Sequence, residues 1–273
     1  MLRPQARSQV LEDTPDSRKP KSASGAVPEA RRILGMRVDA TSYAECADTA
    51  LEMGLARTGG MICVATVHMV MESFDDPAFR RCVNAADRVT PDGVPLVWAL
   101  RRRGISDATR VYGPELMSEI CARAEARELT IGLYGGTPRV LTALCARLHK
   151  RYPRLQIRFA FAPPFAPLGS EEDARITEAM AASGAHVVFV GLGCPKQERW
   201  MADHRARLPC ALVGVGAAFD FLAGEKAQAP AWMQRCGLEW LFRLIHEPRR
   251  LARRYLVGNP RFIFQSVFGR NVE

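Results

Sequence analysis

The sequence predicts an α/β fold: a mostly parallel, Rossmann-like sheet with helices on both faces, followed by a C-terminal helical, basic appendage. Three observations carry this expectation. From about residue 33, short β-branched runs alternate with longer stretches of helical spacing; this strand pattern stops after about residue 229; and the remaining chain mixes arginine with aromatic and aliphatic residues. With 273 residues, 48% hydrophobic and 25% charged, there is material for one large core.

Taken in order, residues 1–30 combine Pro, Ser, Lys and Arg with few large apolar groups, too few to offset the entropy of ordering, so a disordered tail is expected. Strands are expected at 33–38 (ILGMRV), 61–66 (MICVAT), 86–90 (ADRVT), 129–135 (LTIGLYG), 155–160 (LQIRFA), 186–191 (HVVFVG) and 211–216 (ALVGVG). Helices fit 42–57, 75–85, 93–103, 114–127, 137–151, 171–182 and 195–207 between them, which makes 31–229 the core. In such sheets ligands bind beyond the carboxyl ends of the strands.

Residues 230–273 read as two or three short helices broken at Pro248 and Pro260. Six arginines stand against Glu239 and Glu247 within 239–263, interleaved with Trp240, Phe242, Ile245, Tyr255, Leu256 and Phe262. Such a segment suits a membrane interface, while an ordinary packing helix with a solvated basic face also fits. No apolar run reaches the roughly 20 residues of a membrane span, and the N-terminus is polar where a signal peptide is apolar, so a cytoplasmic location is expected. The net charge of +9 calls for an anionic partner. Nucleic acid is not expected, because the positive charge gathers at the chain ends without a recognition element. The eight cysteines form no CxxC pair and fall mostly within apolar patterns, which signals neither disulfides nor zinc.

The chemistry concentrates at strand ends. Thr66 closes one strand and His68 follows it; both could donate to a ligand, or Thr66 could cap a helix. Asp92, between Pro91 and Gly93, could cap the next helix or face a cleft as a general base. Gly135 and Gly136 precede a helix start and suit a phosphate, although neither GxGxxG nor GxxxxGK[ST] is present. Gly191 and Gly193 allow a sharp turn in GLGCPKQER, where Glu198 suits the helix dipole and Gln197 suits a nucleobase or sugar hydroxyls. Cys194 lacks a neighbouring base, and Asp220 could bind ribose hydroxyls or cap. No HExxH or DxD appears, so no metal or other cofactor is expected.

In order along the chain, TVH, ADRVTPDGVPLVW, RVYGPELM, LYGGTP, VGLGCPKQERW, GVGAAFDFLAG and GLEWLFRLIHEPRRLARRYLVGNPRF resemble the WecG/TagA/CpsF family of bacterial glycosyltransferases, glycosyltransferase family 26. The resemblance implies inverting transfer of a sugar, an N-acetylmannosamine or uronic acid derivative or similar, from a UDP-sugar to a polyprenyl-diphosphate-linked saccharide. The setting it implies is bacterial cell-surface polysaccharide synthesis, with the enzyme peripheral on the cytoplasmic face of the inner membrane. It implies Asp92 as base, and Thr66 and Gln197 beside the donor or the acceptor phosphates. It also implies Arg243, Arg250, Arg253 and Arg254 near diphosphate or the anionic membrane surface. One departure stands out: His68 occupies a position where the family usually has asparagine, which bears on sugar choice or pH dependence. That departure keeps open a non-catalytic nucleotide-binding or scaffold module of a polysaccharide assembly system. The sequence also leaves a homo-oligomer open.

Overall fold

The computed structural model describes residues 28–268, and the tail expected over residues 1–30 lies almost entirely outside them. The described chain opens with an antiparallel hairpin, β1 (Ala30–Ile33) and β2 (Met36–Asp39), in place of the single strand expected at 33–38. The reversal occurs at Leu34 and Gly35, with φ of 50° and 82°. A two-residue turn with both φ positive matches the twist of the flanking strands, and glycine takes the second position without strain.

Six further strands form one all-parallel sheet: β3 (Gly60–Ala65), β4 (Arg88–Pro91), β5 (Thr130–Gly135), β6 (Gln156–Phe161), β7 (Val187–Gly191) and β8 (Ala211–Gly214), in the order β4-β3-β8-β7-β5-β6. The hairpin shields the β4 edge. Val89 N–H donates to Asp39 Oδ2 at 2.8 Å, and Arg37 donates to the carbonyls of Ala86 and Asp87 at 3.0 and 2.9 Å. The opposite edge, β6, is half exposed, with alternate residues turned outward.

Helices cover both faces, as the near-continuous apolar strands require. Along β3, Met61, Cys63 and Ala65 enter one core layer and Ile62 and Val64 the other; along β7, Val188 and Val190 part from Val187 and Phe189 in the same way. The first layer receives α2 (Val67–Asp75), α3 (Pro77–Asn84), α4 (Val94–Arg102), α7 (Ser170–Ala182) and α8 (Lys196–His204). The second receives α1 (Tyr43–Ala56), α5 (Gly113–Ala126), α6 (Pro138–Arg151) and the short α9 (Ala218–Ala223). Burying each large side chain, such as Phe79 or Phe189, contributes about 1.5–3 kcal/mol. Local signals set the helix ends: Ser42 and Glu45 form a reciprocal capping box for α1, and Asp76 accepts from the N–H groups of Ala78 and Phe79 at the start of α3.

After β8 and α9 the chain is helical: α10 (Ala231–Arg235), α11 (Glu239–His246), α12 (Pro248–Ala252), a π-helical turn at Arg253–Val257, and α13 (Gly258–Phe268). Pro248 begins α12 at its first position, as expected. Pro260, by contrast, does not break the chain but sits in the first turn of α13. It has no N–H to donate, and the wide π turn stands immediately before its helix. α13 docks on α2 through buried Phe262 and through Arg261, which pairs with Asp75 and lies 5.4 Å above the Phe74 ring. Among the described residues no helix is long and apolar enough to cross a membrane.

Candidate active site

A cleft opens at the carboxyl ends of β3, β4, β7 and β8, where the chain's lateral order reverses between β3 and β8. It has two lobes. The first, about 620 Å³, lies between Thr66, His68, Asp92–Pro95 and Arg110 on the sheet side and Glu239, Trp240, Arg243, Arg254 and Tyr255 on the C-terminal side. The second, about 640 Å³, is framed by Gly193, Cys194, Gln197, Glu198, Gly214–Ala218 and Phe221, with Arg243, Arg250 and Arg254 over it. Thr66, Asp92, Arg243 and Arg254 border both.

Asp92 follows β4 directly, and its N–H donates to Ala65 O at 2.9 Å, which fixes the turn against β3. It does not cap α4. Gly93 occupies the cap position and α4 has no side-chain cap bond, which leaves the Asp92 carboxylate turned into the cleft. There it accepts from Arg110 Nη2 at 2.9 Å, while Arg110 Nε reaches the Asp92 carbonyl. The same Nη2 donates to Glu239 Oε2 at 2.7 Å, so one guanidinium joins an acid of the sheet edge to an acid of α11. Arg110 lies over the Tyr112 ring at 4.3 Å, and the Val111 N–H bond to Pro91 O at 2.9 Å ties its loop to β4. Burial pushes the Asp92 carboxyl up to about 6; Arg110 opposes this and Glu239 adds to it. The Arg110 guanidinium loses by burial but gains more from its two carboxylates, and ends above its ordinary range.

Thr66 stands at the cap position of α2 but makes no cap bond; its Oγ1 accepts from Arg254 Nη2 at 3.2 Å. His68, the second residue of α2, has Nδ1 3.6 Å from Glu72 Oε1. Burial, with the neighbouring Arg254 charge, holds its imidazole down at about 4, so it is neutral at physiological pH. Gln197 is 3% exposed, and both ends of its amide are engaged: Oε1 accepts from Gly216 N–H and Nε2 donates to Glu198 Oε1, each at 2.9 Å. Its geometry therefore fixes the β8 turn as well as lining the second lobe, a role its polarity alone did not reveal. Glu198 is fully buried, and burial raises its carboxyl above the usual range. Its Oε2 finds no hydrogen-bond partner among the described residues, nor do Arg243 Nε and Arg254 Nε. Cys194 lines the same lobe as a thiol that burial pushes well above its ordinary value, so it is no ready nucleophile.

Of the residues singled out from the sequence, the structure brings Thr66, His68, Asp92, Gly193, Gln197, Glu198, Arg243, Arg250 and Arg254 to the cleft. Gly135, Gly136 and Gly191 line neither lobe. A Cβ on Gly135 would come within 2.6 Å of the Gly191 backbone, Gly136 N–H donates to Gly191 O at 3.2 Å, and Phe219 covers Gly191. These glycines let β5, β7 and α9 approach one another. Asp220 also lies outside, 3.6 Å from Lys226 Nζ, its carbonyl accepting from the Glu225 and Lys226 N–H groups. Arg253 points outward on the π turn and borders neither lobe. Arg110 was not singled out, and Glu239, Trp240 and Tyr255 were noted only as members of the basic, aromatic segment and not as cleft residues. Arg110 does lie within a stretch that carried the family resemblance, RVYGPELM, and that position was the available clue.

A parallel α/β sheet with a two-lobed, arginine-rimmed cleft at its switch point is a Rossmann-like arrangement, with the cleft where such sheets bind their ligands. Residues 31–272 match the model of the family described as Glycosyl transferase WecG/TagA/CpsF family, and the chain belongs to that family of glycosyltransferases.

Proposed function

We propose that this glycosyltransferase moves a sugar, with inversion, from a UDP-sugar to a polyprenyl-diphosphate-linked saccharide of bacterial surface polysaccharide synthesis, at the cytoplasmic face of the inner membrane. The observation that carries the reading is Asp92: a carboxyl at the junction of two lobes, held at about 6, where it is ionised at neutral pH yet a stronger base than a solvated aspartate. The second lobe takes the UDP-sugar, with Arg243, Arg250 and Arg254 around the diphosphate. The first takes the acceptor. Asp92 removes the proton from the acceptor hydroxyl, whose oxygen attacks the anomeric carbon from the face opposite the breaking bond to UDP. The guanidinium groups meet the charge that develops on the departing diphosphate, without a resident metal. His68, neutral, offers a hydrogen bond to a sugar hydroxyl.

Residues 230–273 act in this reading as a membrane-associating appendage on the 31–229 core. Support comes from the C-terminal helices, where Ile245, Leu256, Val257, Ile263, Phe264 and Phe268 are exposed, as are Arg249 and Arg253. The test is a screen of UDP-sugars with polyprenyl-diphosphate N-acetylglucosamine acceptors in anionic vesicles. UDP release with sugar transferred to the lipid is expected for one donor; UDP binding without transfer across the screen would favour a binding module.

A further inference from the structure

The cleft contains two acids on one arginine. Arg110 Nη2 is 2.9 Å from Asp92 Oδ1 and 2.7 Å from Glu239 Oε2, and both side chains are largely withdrawn from solvent, 16% and 13% exposed. The two acids come from opposite sides of the cleft: Asp92 from the end of β4, Glu239 from the first turn of α11. Among the side chains of the described C-terminal helices, Glu239 is the one that hydrogen-bonds Arg110. A single cation between two carboxylates cannot fully neutralise both in a medium of reduced dielectric.

We propose that Glu239 is a positioning residue for Asp92: by sharing Arg110 Nη2 it weakens the guanidinium's hold on the Asp92 carboxylate and makes that carboxylate a better proton acceptor. This rests on the reading of Asp92 as the base. The charged and titratable groups that share the cleft with Asp92 are Arg110 and Tyr112 from the loop before α5, His68 from α2, Cys194 and Glu198 from the turn and helix after β7, Glu239 and Arg243 from α11, Arg250 from α12, and Arg254 from the π turn. His68 is neutral near pH 7 and burial holds Tyr112 protonated, so Glu239 stands against the arginines, Arg110 and Arg243 foremost. Without Glu239 those cations are opposed by the burial of Asp92 alone. The proton affinity of the base is thereby tied to an acid of the C-terminal helices.

The experiment follows the Asp92 carboxyl in the full-length protein by carbon NMR of aspartate-labelled enzyme, the resonance being assigned by its loss in Asp92→Asn. Glu239→Gln keeps an oxygen that can accept from Arg110 but removes the charge. Its Asp92 midpoint is expected to fall by about one pH unit. The control is Glu247→Gln, an acid of the same segment that pairs with Lys226 and Arg250. It should leave the midpoint in place. An unmoved or raised midpoint in Glu239→Gln, or an equal fall in both variants, overturns the proposal. In transfer assays the acid limb of kcat should move down with the midpoint in Glu239→Gln and the plateau fall, with KM for the UDP-sugar unchanged. Because the titration needs no substrate, it separates the two readings: if Asp92→Asn still turns over, the base assignment fails whatever Glu239 does, and if only the midpoint stays fixed, the Glu239 proposal fails alone.

Discussion

The carboxyl edge of the sheet has two halves that look alike in sequence and differ in three dimensions. At β5 and β7 the strands end in glycines, and those glycines bring the backbones so close that a Cβ on Gly135 would meet Gly191 at 2.6 Å. At β3 and β4 the strands end in Thr66 and Asp92, which cap nothing and point their side chains into the cleft. The half whose glycines suited a phosphate uses them for close packing of strands, and the half where capping and ligand binding were both open places its side chains in the cleft. A glycine at a strand end reports close approach of something, and here it is another strand. A capping-type residue that makes no cap is the more informative observation, because its polar atoms turn into the cleft, where Arg254 and Arg110 meet them.

Substitutions on either half can break that comparison. The largest effect is expected for Asp92→Asn, which should lower kcat by about a thousandfold, within the range for loss of a general base, with the fold and UDP binding retained. Next is Arg254→Ala, which removes a guanidinium bordering both lobes together with its bond to Thr66; a loss of about a hundredfold in kcat is expected from steady-state transfer rates. On the packing half, Gly135→Ala should destabilise the fold by about 2 kcal/mol through strain at φ +129° and the contact with Gly191, seen as a shift in denaturation midpoint. Its turnover per folded molecule should stay near wild type; a selective loss of UDP affinity would instead return Gly135 to the binding site. The smallest effect is expected for His68→Asn: a change of a few-fold in the preference among UDP-sugars, with the pH profile above 5 unchanged because the imidazole titrates near 4.

The sheet was largely legible because β3, β5, β7 and β8 are continuous apolar runs buried on both faces, which polar punctuation sets apart. The hairpin at 30–39 was not, since ILGMRV is apolar on both sides of Gly35 and reads as one strand until the turn dihedrals are seen. α9 is six residues long, too short for a helical period to emerge. In the site, Asp92, Thr66 and the cleft arginines stood out by residue type at strand ends or in a basic run. Arg110 did not, because its importance lies in partners 18 and 129 positions away, a distance that no local pattern encodes. Gln197 was noticed for its polarity, but which atoms satisfy its amide depends on the turn after β8.

The most direct test of the account is the pH dependence of kcat/KM for sugar transfer from the UDP-sugar identified by screening. With Asp92 as the group that must be ionised, and with the sign following from a carboxyl raised above its ordinary value, the rate should fall on acidification with a midpoint near 6 and be level from about 7 upward. A profile flat between pH 5 and 7 in an enzyme that loses activity on Asp92→Asn would show a carboxyl of ordinary strength. A flat profile in an enzyme that keeps its activity on that substitution would remove Asp92 from the chemistry.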